Sequence, residues 1–394
     1  MKLIVTKWKQ GVGVFGFEDN TLVVANVYDN KQKICIGDIY LGRINKILPN
    51  INACFVQIGE KEEVFLPFDE ICENVKSGDY TLIQIKKEAS KGKQALGTTK
   101  LSLAGLYCVI NREPYSIQVS SKLNVEKRSY WKKTLAEILK SDELSPEDKA
   151  ILLKYCLIIR TNVSEASNLS EVISEWILLA GKMDYILEKG KYQSLFSKLY
   201  SEEKQYLNYI KNVSQGELTE IVTDENTIFD ELKNIYAESP EMQNKLRFYQ
   251  DTFPLDKLYS IESKITEALS KKVWLKCGGF LIIEPTEALT VIDVNSGKFD
   301  KKGDSEAFYK KVNEEAACEI ARQIKLRNIS GIIIIDFINM SLESNQKALL
   351  DTLSRYVSKD KVRTHVIGMT SLGLVEMTRT KTAKPLAEQI SIVN

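Results

Sequence analysis

Leu289-Thr290-Val291-Ile292-Asp293-Val294-Asn295-Ser296 and Gly331-Ile332-Ile333-Ile334-Ile335-Asp336-Phe337 are two short aliphatic runs, each with an aspartate at or near its end. Continuous β-branched and aliphatic runs of this length read as strands buried on both faces. Between them Ala307, Phe308, Val312, Ala316, Ile320 and Ile324 recur at helical spacing. This predicts one long helix from Asp304 to about Arg327, with Asp304 as its N-cap. Strand, helix, strand is a βαβ unit, with parallel strands and a right-handed crossover. Both aspartates then arrive at the carboxyl edge of one sheet, where open α/β sheets place their ligands. Two carboxylates there, with Asn295 two residues past the first, suit a hard divalent cation such as Mg²⁺. Spacing alone equally allows each aspartate to cap a turn or a helix.

The residues around this unit resemble the catalytic core of the ribonuclease E/G family, endoribonucleases of bacteria and plastids. The resemblance is carried by Pro285-Thr286-Glu287-Ala288 leading into Leu289 to Gly297, by Asn313-Glu314-Glu315-Ala316-Ala317, and by Glu319-Ile320-Ala321-Arg322-Gln323-Ile324. It continues through Leu326-Arg327, Gly331 to Met340, and Gly373-Leu374-Val375-Glu376-Met377-Thr378-Arg379. Similarity at residues 38–68, 98–109 and 157–161 spreads it over most of the chain, while 165–250 carry little. The fold it implies is a multidomain α+β and α/β chain. An RNase H-like layer would come from residues 1–34 and 208–271. An OB-fold RNA-binding domain of the ribosomal protein S-one type would fill 35–108, a 5′-sensor region 109–207, and a DNase I-like catalytic subdomain 272–394.

By motif match, the resemblance implies that Asp293 and Asp336 hold a Mg²⁺ that positions and activates water for attack on an RNA phosphodiester. Asn295 would orient the phosphate or an aspartate. Arg363, in Lys359-Asp360-Lys361-Val362-Arg363, matches a family arginine near the scissile phosphate, where a guanidinium would offset developing charge. The chemistry agrees, because a metal held by two carboxylates with open positions polarises a phosphoryl oxygen and lowers the pKa of bound water. The family usually reads Asp-Phe-Ile-Asp-Met where this chain has Asp336-Phe337-Ile338-Asn339-Met340. That change lies beyond the metal pair and bears on the rate rather than the chemistry.

Short strands are predicted over 38–44, 53–59, 63–67 and 80–85, a spacing that suits a small OB-type barrel. Phe55 and Phe65 match family positions that stack or align RNA bases; without the match they would read as core phenylalanines. Lys93 matches a substrate-contacting lysine in the following loop, with Lys91 the alternative because Gly97 disturbs the pattern. Gly105, Val109, Arg160 and Thr161 match the cradle for the 5′-monophosphate of RNA. Arginine forks onto phosphate oxygens, and a threonine adds a second bond. The small pair that usually follows Arg-Thr is Asn162-Val163 here. Without the match, Arg160 reads as an ordinary edge-strand residue.

At 394 residues the chain should hold two to four modules. Its 54 Lys and Arg against 53 Asp and Glu provide no global basic field. RNA contact must then come from local groups such as Lys86, Lys87, Lys91 and Lys93, or Lys298, Lys301 and Lys302. No apolar stretch approaches the roughly 20 residues of a membrane span, and the start lacks a signal-peptide layout. The expectation is a cytoplasmic protein, or one of an organelle stroma if plastid-encoded.

Seven scattered cysteines, mostly in apolar company and without a Cys-x-x-Cys pair, read as reduced core residues, and a single histidine, His365, rules out His-based zinc sites. Longer family members carry a Cys-x-x-Cys zinc link after the Gly-Leu-x-Glu-Met segment. None is present up to Asn394, so a monomer or weak dimer without a zinc link is expected.

Residues 1–34 read as hairpin strands around a turn-rich stretch. Within it, Gly11-Val12-Gly13-Val14-Phe15-Gly16 lacks the following helix of a dinucleotide-binding turn. Residues 165–270 read as amphipathic helices, with Leu169, Val172, Ile173, Trp176, Ile177, Ala180 and Met183 on one core face. Together these features point to a Mg²⁺-dependent endoribonuclease acting on single-stranded RNA in rRNA maturation or mRNA decay, stimulated by a 5′-monophosphate. The alternative is a weak or inactive RNA-binding protein that keeps the same fold. An enzyme acting on nucleotides lacks a nucleotide-pocket motif and leaves the OB segment unexplained.

Overall fold

The computed structural model describes residues 1–29, 34–72, 75–89, 94–165, 169–201, 204–213, 215–237, 239–297 and 305–393. Strands among them gather into four sheets in a mixed α+β chain. Two compact units carry two sheets each. One unit comprises Met1–Asn30, Leu218–Ile235 and Asn244–Asn394, and the other Lys31–Glu217 with Tyr236–Gln243.

In the first unit, Lys2–Trp8, Gly11–Glu18 and Thr21–Asp29 form an antiparallel meander. Its second turn is the two-residue Asp19-Asn20 pair, both left-handed as a tight hairpin demands. The stretch expected to be turn-rich therefore holds a buried central strand. Its glycines hide the alternation from a sequence reading, yet Gly13 leaves the space that the buried Phe15 ring fills. Glu220–Thr223 and Leu246–Phe248 extend this sheet, parallel to Lys2–Trp8. The segment expected to be wholly helical thus supplies short strands as well; runs of three or four residues between helices are too short to show a period of two.

The unit's second sheet runs Lys272–Trp274, Phe280–Pro285, Leu289–Asn295, Gly331–Asp336, Val375–Arg379, Thr364–Met369 in spatial order. Leu289–Asn295 and Gly331–Asp336 pair in parallel, and the helix Ser305–Leu326 connects them as the periodicity predicts. Asp304, its expected cap, lies outside the described residues. This helix and Glu343–Val357 pack on one face through Val312, Ala316, Ile320, Ile324, Leu349 and Leu353. They meet Leu281, Ile283, Ile292, Val294, Ile333 and Ile335 of the sheet.

Among the described residues the other face is open, which corrects the expectation of strands buried on both sides. Val291 is 37% exposed and Ile332 49%. β-branched residues favour strands on an open face too, so the aliphatic run did not imply a second cover.

In the second unit, Ile39–Leu48, Ala53–Gln57, Glu63–Pro67, Ala95–Thr98 and Tyr80–Lys87 close into an OB-like barrel, since the last pairs back onto the first. Ala95–Thr98, unforeseen in the sequence, completes the ring. A Cβ on Gly97 would stand 2.5–2.7 Å from Ile83 and Val64, so the crowded interior requires a glycine there. Ser116–Val119, Cys156–Ile159, Cys108–Asn111 and Ser102–Ala104 form the remaining sheet. The helix Leu169–Lys189 buries Val172, Trp176, Ala180 and Met183. Among the described residues no helix is long and apolar enough to cross a membrane.

Candidate functional site

Asp293 and Asp336 are register partners on adjacent parallel strands, and strands in that direction lie about 4.8 Å apart. Both side chains belong to the open face, Asp293 half-buried and Asp336 exposed. Asn295 shares that face, and its Nδ2 donates to Asp293 Oδ2 at 2.7 Å. The backbone beyond Asn295 packs tightly on the preceding hairpin. A Cβ on Gly297 (φ +70°) would stand 2.3 Å from the Gly278 carbonyl, and one on Gly279 2.7 Å from that of Asn295.

Three polar residues of the Ser305–Leu326 helix hold the surrounding loops. Asn313, fully buried, donates to the Ile338 carbonyl at 2.8 Å and accepts from the Ile338 N–H at 3.1 Å. Glu315 accepts from the N–H groups of Lys276 and Cys277 in the Lys272–Trp274 hairpin. Glu306 accepts from the N–H of Ser341 at 2.9 Å and of Leu342 at 3.2 Å, and from Asn345 Nδ2 at 3.0 Å. These bonds hold its carboxyl down at about 2.

Among the described residues no three His, Cys, Asp or Glu side chains gather as a metal site. The aspartate pair with an amide fits Mg²⁺ nonetheless. That ion takes one or two carboxylates and completes its shell with water and substrate phosphate. Zinc would want nitrogen or sulfur donors, and the chain's one histidine, His365, stands in register with Thr378 and Ile332, four residues down the strand from Asp336. Lys298, Lys301 and Lys302 lie outside the described residues.

On the barrel, Phe55 and Phe65 are a cross-strand pair with ring centroids 5.7 Å apart and edge to face. Their neighbours Cys54, Val56, Val64 and Leu66 are buried inside, so the two half-buried rings face outward. Lys93 and Lys91 lie outside the described residues.

Arg160 follows the Cys156–Ile159 strand, and its guanidinium donates to the Gly105 carbonyl and to Asn212 Oδ1. Burial pulls its pKa down, against the opposing charge of Glu175. Glu175 also accepts from the N–H groups of Leu106, Tyr107 and Cys108. A Cβ on Gly105 would run into that carboxylate at 2.3 Å, which is why glycine stands there. Val109 pairs with Ile158, two residues before Arg160, and Thr161 is exposed at the start of a short helical turn. Gly105 and Arg160 are thus in contact, with Val109 and Thr161 beside them in the chain.

Over residues 102–382 the sequence matches the profile of the Ribonuclease E/G family. It is 33% identical over 378 residues to Ribonuclease G of Escherichia coli (strain K12), covering 89% of this chain and 74% of that protein. The Haemophilus influenzae Ribonuclease G is 34% identical over 372 residues, with 89% and 73% covered. Ribonuclease E of Synechocystis sp. is 31% identical over 370 residues, with 90% of this chain and 53% of that protein covered. The chain belongs to the ribonuclease E/G family.

Within this ribonuclease E/G chain, one expected residue stands elsewhere. Arg363 precedes the Thr364–Met369 strand, where Thr364 pairs with Arg379 and Arg379 with Gly331. That is the opposite edge of the sheet from Asp336, roughly 17 Å along the strand at about 3.3 Å per residue. Its Nε donates to Nε2 of the exposed His365 at 2.7 Å. Arg363 is therefore not brought to the aspartates, because two strand reversals separate it from them. Sequence reasoning gave no role to Glu306 or Glu175, nor to Asn313 and Glu315, although the last two stand in a motif that carries the resemblance. Asn313 carried a signal: an amide on the apolar stripe between Val312 and Ala316.

Proposed function

We propose that this chain is a Mg²⁺-dependent endoribonuclease that cleaves single-stranded RNA at the open face bearing Asp293 and Asp336. Membership of the ribonuclease E/G family makes it an endoribonuclease, a hydrolase acting on RNA. The metal, the site and the substrate form are the proposal. The observation that carries it is the in-register aspartate pair with Asn295 bonded to Asp293.

In this reading Asp293 and Asp336 hold Mg²⁺, which when bound supplies Lewis acidity and an activated water. Asn295 fixes the Asp293 carboxylate, leaving its other oxygen free to turn to the ion. Asn313 sets the loop that follows Asp336. The outward Phe55 and Phe65 rings stack unpaired bases, with Lys93 contacting the backbone. Gly105, Val109, Arg160 and Thr161 receive a 5′-monophosphate that stimulates cleavage, for which the Arg160 guanidinium must exchange protein acceptors for phosphate oxygens.

The strand order of the first sheet, with two parallel strands beside an antiparallel meander, supports an RNase H-like layer from residues 1–34 and 208–271. A barrel domain over 35–108, a sensor over 109–207 and a DNase I-like subdomain over 272–394 complete the reading, with rRNA maturation or mRNA decay as the role.

The test is cleavage of a labelled single-stranded RNA with and without Mg²⁺, beside Asp293→Asn and Asp336→Asn. Both variants should lose cleavage while still binding RNA. Cleavage at the unsubstituted rate in either one would overturn the assignment.

A further inference from the structure

The face that carries the aspartates does not end with them. Register continues across it in two rows: Lys272, Ile282, Asp293 and Asp336 in one, Trp274, Phe280 and Asn295 in the next. Paired residues point to the same side of a sheet, so all seven share the open face. Trp274 is 65% exposed, whereas Trp8, Trp131 and Trp176 are buried. Its ring meets Phe280 edge to face at 5.3 Å, and Lys272 Nζ sits 3.8 Å and 3.7 Å from the two ring centroids. An indole and a phenyl ring left at the surface forgo burial. Here they stand one and two strands from Asn295, about 5 and 10 Å away, the scale of a nucleotide or two.

We propose that Trp274 and Phe280 form a stacking platform for an unpaired base of the RNA next to the scissile phosphate, with Lys272 turned to its phosphodiester backbone. The proposal rests on the reading of Asp293 and Asp336 as the cleavage site. Nucleic acid suits this surface better than a protein partner. An exposed aromatic face accepts any base, and the adjoining cation complements a polyanion. Lys272, held on the rings by cation–π attraction, must swing off the ring faces for a base to stack, and its flexible stem lets the ammonium turn to the adjoining phosphate. The same row ends at the carboxylates.

The test uses the whole chain, without metal, and a short single-stranded RNA. Since the other three tryptophans are buried, acrylamide quenching reports chiefly on Trp274. RNA should quench its emission and shield it from acrylamide, in the unsubstituted protein and in Asp336→Asn alike. In Mg²⁺, Trp274→Ala should raise KM roughly five- to a hundredfold, with the effect on kcat much smaller. Trp274→Phe should recover most of the loss.

A folded Trp274→Ala with unchanged KM, together with an acrylamide accessibility that RNA leaves unaltered, would overturn the platform. Cleavage by Asp336→Asn at the unsubstituted rate, with Trp274 still shielded by RNA, would instead overturn the catalytic reading and leave the stacking in place.

Discussion

Asn313 grips Ile338 by both ends of its side-chain amide, from a position with no solvent exposure. Ile338 lies two residues past Asp336, so a helix residue on the covered face sets the backbone that leaves the exposed carboxylate. Asn313→Ala would leave a partly buried backbone N–H and carbonyl of Ile338 without their partner, at a cost of about 1–3 kcal/mol for an unsatisfied group. The expected outcome in denaturant unfolding is a loss of that order. Single-turnover cleavage should fall by at least about tenfold, since small misplacements at a reacting centre are costly. RNA affinity should hold. Full turnover in a folded Asn313→Ala would remove the loop from the catalytic account.

Glu306 supplies what the Glu343–Val357 helix lacks. Leu342 stands at its N-cap and cannot cap it with a side chain, while the carboxylate of the neighbouring helix accepts the N–H of the N-cap Leu342 and of Ser341 just before it, satisfying one of the helix's orphan donors. Its carboxyl is held at about 2, against an ordinary value of 4.5. A depressed folded pKa contributes stability above the unfolded value, and that contribution is lost as pH falls from about 4.5 to about 2. Melting temperatures of the parent and Glu306→Gln should differ most above pH 4.5 and converge toward pH 2. A gap that stays constant with pH would show that the carboxylate charge does not matter.

Much of the catalytic-side fold was legible because the apolar period switches from strand to helix and back between Leu289 and Asp336, which also aligns the two aspartates. What stayed hidden was long-range. Nothing in Lys361-Val362-Arg363 says which sheet edge the arginine reaches, since that depends on how two later strands reverse. Gly13 and Gly97 looked like interruptions, yet each is the residue that lets a strand pack, because the space it leaves belongs to a side chain elsewhere. The open face was misread for a related reason: residue type reports strand preference, not how many helices arrive to cover it.

Phe55 and Phe65 face out of the barrel, so truncating one removes little core. Phe55→Ala should leave the melting temperature nearly unchanged and weaken RNA binding by about 1–3 kcal/mol, the usual worth of one base stacked on an aromatic ring. The Mg²⁺ dependence of cleavage should not move. Filter binding and a Mg²⁺ titration check both points, and unchanged affinity in a folded variant would return Phe55 to a packing role.

Arg379 ends the Val375–Arg379 strand with a side chain only 3% exposed. Its Nε donates to Asp360 at 2.8 Å, while Nη1 donates to Asn328 Oδ1 at 2.8 Å and to the Ile329 carbonyl at 2.9 Å. Asn328 is left-handed, at φ 49°, where the long helix ends and the chain turns into the Gly331–Asp336 strand. One guanidinium therefore ties that turn to a second strand and to Asp360. Arg379→Met would keep the volume and strand three acceptors, one of them charged. Removing one partner of a buried pair costs about 3–5 kcal/mol. Arg379→Lys should recover only part, because an ammonium on a flexible stem cannot match the planar fork. The lesion sits at the Gly331 edge, opposite Asp336, so cleavage well below the melting transition should stay near the parent rate. Thermal unfolding and cleavage measured side by side separate the two effects. A variant with parent stability would mean the buried network contributes nothing, and one with parent stability but lost cleavage would place Arg379 in the reaction instead.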